Sequence, residues 1–184
     1  MDAPRPLAEF VGAMDALLGK GVDEPRVLAG CREAMKRLVA RDDWLPEALA
    51  KPHPKYYQQY LLHCDPRERF CVVSFVWGPG QKTPVHDHTV WGVISMLRGG
   101  ETCAPYRNES GRIVPAGEPV RLRPGDVDAV SPAIGDIHRV ANAYDDRVSI
   151  SIHAYGANIG KVRRHVFDVE TGAVKEFVSG YANA

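Results

Sequence analysis

The chain has no excess of charge of either sign. Its 184 residues include 23 basic and 23 acidic side chains, which gives a formal net charge of zero. Binding to nucleic acid or to an anionic membrane surface depends on clustered positive charge, so the composition supports neither function. We therefore expect no nucleic-acid partner, and recognition of a charged ligand must depend on a local group.

Long apolar runs are also absent. No segment approaches the ~20 apolar residues that a membrane-spanning helix needs. At the start of the chain, Asp2, Arg5 and Glu9 interrupt short apolar pairs, a pattern unlike that of a secretory signal. We therefore expect a cytoplasmic protein without a membrane partner, whereas the sequence leaves its oligomeric state unknown.

Cysteine is scarce. The four cysteines, Cys31, Cys64, Cys71 and Cys103, lack the spacing of a metal site. In a protein without an export signal they are expected to stay reduced, and they are most simply small buried side chains. A metal site would have to be built from other residues.

The first third of the chain has helical periodicity. Apolar residues recur at three- and four-residue steps over residues 6–18 and again after Asp23, which predicts two amphipathic helices with Asp23 as the cap of the second. Residues 43–51 are predicted to form a third, short helical piece. We expect a single domain of residues 1–184, in which residues 1–52 form a helical cover.

After Pro54 the pattern changes to short β-branched and apolar segments separated by glycine, proline and aspartate. This spacing is typical of an antiparallel sandwich or barrel, which predicts a mostly β fold over residues 53–184. The expected strands are residues 56–62, 70–77, 90–97, 127–130, 148–155 and 162–169.

The motif His86-Asp87-His88 is the first indication of a metal site. Alternate side chains of an extended segment share a face, so His86 and His88 should point inward and Asp87 away. Two imidazoles on one face can occupy adjacent positions around a metal ion. Such a pair also arises among satisfied polar residues, so the surrounding sequence has to decide.

The surrounding glycines and histidines resemble the two motifs of the cupin superfamily. Cupins are small antiparallel β-barrels or jelly rolls. A glutamate of the first motif normally stands where this chain has Gly92, so the carboxylate ligand is missing. The resemblance therefore implies the metal ligands His86, His88 and His138. It is carried by Gly80, His86, His88, Gly92 and Gly99 in the first motif and by Gly125, Pro132, Gly135, His138 and Asn142 in the second.

Within the cupins, the missing acidic ligand and the segment from Ser151 to Tyr155 resemble the cysteine dioxygenase family of thiol dioxygenases. That family has a Ser-x-His-x-Tyr trio beside its iron, which here is Ser151, His153 and Tyr155. The resemblance implies one Fe(II) per chain, a small thiol and O2 as reactants, and a sulfinic acid as product. Gly92 replaces a cysteine that mammalian-type enzymes cross-link to the tyrosine, so that cross-link cannot form here.

Ligand chemistry leaves alternatives open. Imidazole suits iron, zinc, copper and nickel, and zinc on three histidines can be hydrolytic. Three neutral ligands leave a ferrous ion its full charge, which favours a substrate that brings a thiolate. A zinc or nickel hydrolase or isomerase, or a non-enzymatic ligand-binding cupin, would share the histidines. The trio by itself could also be a satisfied polar cluster in the core.

Residues 57–59 bear on which thiol is the expected substrate. Cysteine dioxygenases have Tyr-x-Arg at this point, whereas the chain has Tyr57-Gln58-Gln59 and resembles the bacterial branch of 3-mercaptopropionate dioxygenases. A neutral glutamine cannot balance a carboxylate, so another cation is needed. Arg164 is the candidate, because it lies on the opposite face of a predicted strand from Arg163 and His165. A small thiol carboxylate is therefore the expected partner, with cysteine or mercaptosuccinate as alternatives.

Overall fold

The computed structural model describes residues 3–183, and residues 1, 2 and 184, including Asp2, lie outside that range. Helix α1 is Arg5–Leu18 and helix α2 is Glu24–Leu38. The Asp23 carboxylate accepts a hydrogen bond from the Arg26 backbone N–H and so caps the first turn of α2. Both predicted helices are confirmed. Neither described helix has the length and apolar character that crossing a membrane requires.

The third predicted helix is reduced to a single turn. Only Glu47–Leu49 is helical, as one turn of 3-10 helix that begins directly after Pro46. A proline fixes its own φ, removes a backbone donor and disfavours the helical conformation of the residue before it. The prediction of a helical piece over residues 43–51 is therefore wrong outside this turn.

Twelve strands follow in the described part of the chain. Every pairing between them is antiparallel. In chain order they are β1 Gln58–Cys64, β2 Cys71–Trp77, β3 Val85–His86, β4 Gly92–Arg98, β5 Glu101–Glu109, β6 Arg112–Pro115, β7 Val120–Leu122, β8 Val127–Val130, β9 Ile137–Asn142, β10 Ser149–Tyr155, β11 Arg164–Phe167 and β12 Val174–Phe177.

The strands form two sheets. The first has the order β1-β2-β10-β4-β8, and the second has the order β12-β11-β3-β9-β5-β6, with β7 paired to β5. The connections repeatedly cross between the sheets, as in a jelly roll. The predicted fold class, a mostly β cupin with N-terminal helices, is confirmed. That one domain spans residues 1–184 stays a prediction.

The six predicted strands correspond to β1, β2, β4, β8, β10 and β11. Five of these belong to the first sheet, where β2 and β10 are buried along their whole length. Burial makes the sequence of β2 nearly continuous in apolar residues, whereas β10 alternates apolar residues with serine, histidine and tyrosine. Both patterns are typical of a strand. All six missed strands belong to the second sheet, whose outer face is exposed, and β5 even contains Pro105. Their sequences therefore lack a strong apolar pattern.

The two faces of the first sheet have different roles. Ile150 and Ile152 of β10 point outward and pack in one apolar cluster with α1 and α2. Ser151, His153 and Tyr155 alternate with them and point between the sheets, as expected for a strand. The helical cover therefore leaves the inner face of β10 to polar side chains.

We expect replacement of Met35 by alanine to destabilise the fold. Met35 lies on α2, is fully buried and contacts the Ser95 hydroxyl of β4 through its sulfur at 3.8 Å. Truncation of a buried methionine leaves a cavity and should lower the free energy of unfolding by about 2 to 4 kcal/mol. Denaturant-induced unfolding measures this change. The neighbouring exposed Lys36 provides the control, because Lys36→Ala should change stability by less than about 0.5 kcal/mol. Equal midpoints for both variants would contradict the packing of α2 on the sheet.

Candidate active site

Three histidines meet between the two sheets. His86 of β3 is paired directly with His138 of β9, and His88 follows two residues after His86. The ring centroids of the three pairs are 4.8 to 4.9 Å apart. One ring nitrogen of each histidine lies within 4.8 Å of the other two, a spacing that allows one metal ion to contact all three.

The segment that carries the first two histidines is less extended than predicted. Strand β3 ends at His86, and Thr89 has a φ of 59°, in the left-handed region. Asp87 nevertheless contacts His165 rather than the histidine cluster, as the alternation predicts. Its carboxylate accepts a hydrogen bond from the His165 backbone N–H and lies 2.7 Å from His165 Nδ1. A turn after the strand, rather than the strand alone, brings His88 to the cluster.

The Nδ1 atom of each of the three histidines contacts a group outside the cluster. An Nδ1–H that donates to an outer acceptor fixes the ring and leaves Nε2 with its lone pair free for a metal. The partners are the Pro84 carbonyl oxygen for His86 at 3.1 Å, Asp136 Oδ1 for His88 at 3.0 Å and Cys103 Sγ for His138 at 3.1 Å. Each ring is thus held by a partner outside the cluster, an arrangement that suits a metal ligand.

The protonation of the cluster also suits a metal ion. Burial lowers the pKa of His86 to about 3 and lowers the pKa of His138 well below its usual value. Neutral imidazole is the form that binds metals. No carboxylate joins the cluster among the described residues. His86 and His138 are therefore neutral donors, and together with His88 they form a set of three imidazoles that could bind a metal ion.

Two residues of this site were missed from the sequence. Asp136 accepts hydrogen bonds from the backbone N–H groups of His88 and Thr89 as well as contacting the His88 ring. Burial acts to raise the pKa of Asp136, but these hydrogen bonds outweigh it and hold the pKa below its usual value. Cys103 was expected to be simple packing, which is wrong because it contacts His138. Recognising β5 as a strand would have placed Cys103 on an inner face.

Ser151, His153 and Tyr155 form one hydrogen-bonded line. The Tyr155 hydroxyl lies 2.8 Å from His153 Nδ1, and His153 Nε2 lies 2.8 Å from Ser151 Oγ. At the far end, Trp77 Nε1 donates to Ser151 Oγ at 3.2 Å. Burial raises the pKa of Tyr155 and lowers the pKa of His153 well below its usual value, so both side chains are neutral. The Tyr155 ring stacks on His88, with 5.4 Å between centroids.

Gly92 makes room for the Tyr155 ring. The two residues are paired across β4 and β10, and a Cβ atom on residue 92 would lie 2.8 Å from Cδ1 and Cε1 of Tyr155. Any side chain here would have to displace the ring. Because glycine has no sulfur, a thioether between residue 92 and Tyr155 cannot form.

A cavity of about 330 Å³ connects the metal cluster to the two predicted substrate residues. His86 and Tyr155 line it, as do Gln59 and Arg164. Arg164 begins β11, and β11 is paired with β3 through Val166 and His86. This strand pairing explains how an arginine remote in sequence reaches the same cavity as the histidines.

Arg164 is a buried cation. One Nη donates to Ser179 Oγ at 2.6 Å, and the guanidinium lies 4.6 Å above the Phe177 ring. Its Nε has no hydrogen-bond partner, and no carboxylate in residues 3–183 forms an ion pair with it. Burial lowers the pKa of Arg164 from its usual value. The guanidinium therefore keeps unused hydrogen-bonding capacity beside the cavity.

Gln59 shares a partner with Arg164. Its Nε2 donates to Ser179 Oγ at 3.2 Å and to the Gly180 carbonyl at 3.0 Å. Ser179 thus joins the two predicted substrate residues, and the chain after β12 closes one side of the cavity. Lys175 of β12 also lines it. The structure therefore brings all eight predicted site residues into one region around the cavity and the histidines behind it.

Comparison with known proteins gives a family. The model of the family described as cysteine dioxygenase type I matches residues 47–168, which include every residue of the site named from the sequence.

Similar solved structures include three bacterial proteins. An uncharacterized protein with a double-stranded β-helix domain from Klebsiella pneumoniae is 14% identical, with 71% of this chain and 91% of that chain covered and a TM-score of 0.49. A cupin superfamily protein from Desulfitobacterium hafniense is 14% identical, with coverages of 60% and 86% and a TM-score of 0.47. An RmlC-like cupin protein from Desulfovibrio desulfuricans is 21% identical, with coverages of 58% and 87% and a TM-score of 0.42.

We expect His138→Ala to remove most of the bound metal. The variant has two of the three donors, so its affinity for the metal ion should fall by at least about tenfold. Metal content of the purified protein, measured by mass spectrometry, tests this. His63 is a matched control, because it lies outside the cluster, and His63→Ala should keep the metal of the wild type. Full metal occupancy in His138→Ala would contradict the ligand assignment.

Proposed function

The chain belongs to the cysteine dioxygenase type I family, and from this premise we propose that it adds both atoms of O2 to the sulfur of a small thiol carboxylate. The preferred substrate is 3-mercaptopropionate, and the product is its sulfinic acid. The observation that carries the choice of a carboxylate is Arg164, a buried guanidinium without an ion-pair partner among the described residues. We expect the enzyme to act in the cytoplasm.

His86, His88 and His138 are the proposed ligands of one Fe(II) per chain. The donor set fits, because each Nδ1 has an outer partner and the neutral rings keep Nε2 available. Iron held there would supply the site at which a thiolate and dioxygen react. The absence of a carboxylate from this cluster in the described residues favours a substrate that contributes the negative charge itself.

Arg164 is proposed to bind the substrate carboxylate. Removing a guanidinium from water without a counter-ion is costly, and a carboxylate in the cavity would offset that cost. A charge-assisted contact to the planar guanidinium also fixes direction. Ser179 holds Nη2, which leaves Nη1 to bond the ligand. This arrangement sets the distance between carboxylate and sulfur, so substrate chain length should matter.

Gln59 is proposed to assist by positioning. Its amide nitrogen already binds Ser179 and Gly180. It therefore holds the serine that orients Arg164, and it adds a neutral wall where the cysteine-type enzymes have a cation. The carboxylate then depends on Arg164.

The cavity favours a thiol without an amine. The described residues that line it include the cations Arg164 and Lys175 and no acidic side chain. An ammonium group, as in cysteine, would enter beside cations with no carboxylate to balance it. This charge pattern supports 3-mercaptopropionate over cysteine.

Tyr155 is the proposed catalytic residue of the trio. It lines the cavity, so its hydroxyl can contact the substrate directly. His153 holds that hydroxyl at 2.8 Å and is in turn held by Ser151, which makes both of them positioning residues. The buried line keeps water away from one side of the reacting sulfur.

Arg164→Ala should lower kcat/KM for 3-mercaptopropionate by about thirtyfold to several thousandfold, the equivalent of ~2 to 5 kcal/mol, because the carboxylate loses a buried charge-assisted contact. Lysine should restore little of this, because it lacks the planar fork. Oxygen uptake and sulfinate formation are the measurements. Arg163 is the matched control, since it is adjacent, exposed and paired with Glu176.

The same assay with cysteamine, which has no carboxylate, separates recognition from chemistry. Wild type should oxidise cysteamine poorly, and Arg164→Ala should not affect cysteamine further. Equal efficiency of the wild type on cysteamine and 3-mercaptopropionate would contradict carboxylate recognition by Arg164. A clear preference for cysteine would contradict the proposed absence of an essential amine.

Mercaptosuccinate is a second candidate, because Lys175 supplies a second cation on the same cavity. Lys175 is exposed and forms no ion pair within residues 3–183. A thiol with two carboxylates could therefore bind Arg164 with one and Lys175 with the other.

If mercaptosuccinate is a substrate, Lys175→Met should lower its kcat/KM by up to about fivefold, the effect of an exposed ion pair, and leave 3-mercaptopropionate unchanged. Lys161, which pairs with Glu68 outside the cavity, provides the control variant Lys161→Met. Oxygen uptake with the two thiols measures both variants. An equal loss of kcat/KM for both thiols would show that Lys175 does not bind a second carboxylate.

A further inference from the structure

The segment that follows β12 forms one wall of the cavity. Ser179 lines the cavity and comes two residues after Phe177, the last residue of β12. It is an exposed residue, so it lies at the opening of the cavity. The family model matches residues 47–168, which places Ser179 in a part of the chain outside that match. Its contacts therefore have to be interpreted from this structure.

Hydrogen bonds to β1 hold this segment in place. The Ala182 backbone N–H donates to the Gln59 carbonyl oxygen at 2.8 Å. The side chain of Asn183 accepts a hydrogen bond from the Leu61 N–H at 2.8 Å and donates to the Leu61 carbonyl oxygen at 3.0 Å. Because these bonds follow one strand, residues 179–183 are held along the edge of the first sheet.

Tyr181 anchors the middle of the segment. Its hydroxyl accepts a hydrogen bond from the Gly160 N–H at 2.9 Å and donates to Asn158 Oδ1. A Cβ atom on residue 160 would collide with the Tyr181 ring, so glycine makes room for it. The Gly180 N–H also donates to the Gly160 carbonyl oxygen at 3.0 Å. The segment is therefore fixed on both sides of Gly180, which gives Ser179 a defined position.

The orientation of the Gln59 amide follows from its two contacts. One amide atom lies 3.0 Å from the Gly180 carbonyl oxygen and 3.2 Å from Ser179 Oγ. A carbonyl oxygen can only accept a hydrogen bond, so the amide atom beside it must be the nitrogen, Nε2. The same nitrogen carries no lone pair for hydrogen bonding. Gln59 therefore donates to Ser179.

Both acceptor positions of the Ser179 hydroxyl are occupied. A hydroxyl oxygen has two lone pairs and one O–H donor. Arg164 can only donate, and its Nη2 lies 2.6 Å from Ser179 Oγ, while Gln59 donates to the other lone pair. Within residues 3–183 these are the hydrogen bonds of the Ser179 side chain. Its O–H is therefore left to donate to a group outside the described chain, at a residue that lines the cavity.

We propose that Ser179 is a further substrate-binding residue, which donates its hydroxyl hydrogen to the carboxylate that Arg164 binds. This role rests on the proposed function, because it requires a carboxylate in the cavity. Arg164 Nη1 and the Ser179 hydroxyl then present two donors to a group that only accepts. Because the Ser179 hydroxyl itself accepts from a guanidinium, it is polarised and becomes a stronger donor.

The two donors also select against an amine at that end of the substrate. The ammonium group of cysteamine has only N–H donors and offers the Ser179 hydroxyl no acceptor. A carboxylate can accept from Ser179 and from Arg164 at once. Ser179 therefore adds to the preference for a thiol carboxylate that the charge of Arg164 already favours.

Ser179→Ala should raise the KM for 3-mercaptopropionate by about fivefold to thirtyfold, because the carboxylate loses a hydrogen bond at an exposed position. The contact is made in the ground state and the transition state alike, so kcat should change by less than about twofold. Oxygen uptake over a range of thiol concentrations measures both constants. Ser179→Thr keeps the hydroxyl group, and its KM should stay within about threefold of the wild-type value.

A double variant separates direct contact with the substrate from orientation of Arg164. If Ser179 acted only by orienting Arg164, Ser179→Ala would have no effect once the guanidinium is removed. A direct hydrogen bond predicts that Ser179→Ala raises the Kd by about threefold or more in the Arg164→Ala background as well. Anaerobic calorimetric titration of the iron-loaded protein with 3-mercaptopropionate measures this Kd without turnover.

Val178→Ala is the matched control. Val178 is adjacent and exposed and is not among the residues that line the cavity, so its replacement should leave the KM unchanged. All variants should keep the metal content of the wild type, which excludes misfolding as the cause of an effect. A wild-type KM in Ser179→Ala, or no effect of Ser179→Ala in the Arg164→Ala background, would overturn the role of Ser179 alone. A wild type that oxidises no thiol carboxylate would instead overturn the proposed function.

Discussion

The pairing of β3 with β9 is the contact on which the rest of the site depends. It sets His86 opposite His138, and the turn that follows brings His88 to within ring contact of both. Strand β11 then pairs with the other edge of β3, which carries Arg164 to the cavity. A shift of this register by one residue would turn the histidines to the opposite face and separate the cation from them. The relative positions of the three histidines and Arg164 therefore depend on a single short strand.

The first sheet provides the rigid support for this arrangement. Its outer face packs on α1 and α2, and its inner face carries the trio and the residue, Gly92, that makes space for Tyr155. Burial on both faces leaves little freedom for β10 to move. The helices thus contribute to the site indirectly, because they hold the strand whose other face meets the histidines.

Charge is separated across the interior. The cavity is lined by Arg164 and Lys175 and by no described acid, whereas Asp136, which is not among its lining residues, contacts the His88 ring. The two cations would attract an anionic ligand, while Asp136 orients the His88 ring. The cations that line the cavity and the acid that orients a histidine are therefore separate groups.

The sequence alone determined the parts of this protein that depend on local pattern. Helical periodicity located α1 and α2, short β-branched and apolar segments located six strands, and motif spacing selected His86, His88 and His138. Tertiary structure alone decided which remote residues meet them. Asp136 and Cys103 lie on or beside strands whose exposed outer faces give no clear apolar pattern, and their contacts with the histidines arise only from strand pairing. The sequence named Arg164 as a cation, but only the fold shows that it is buried without an acidic partner in the described chain, because ion pairing depends on neighbours distant in sequence.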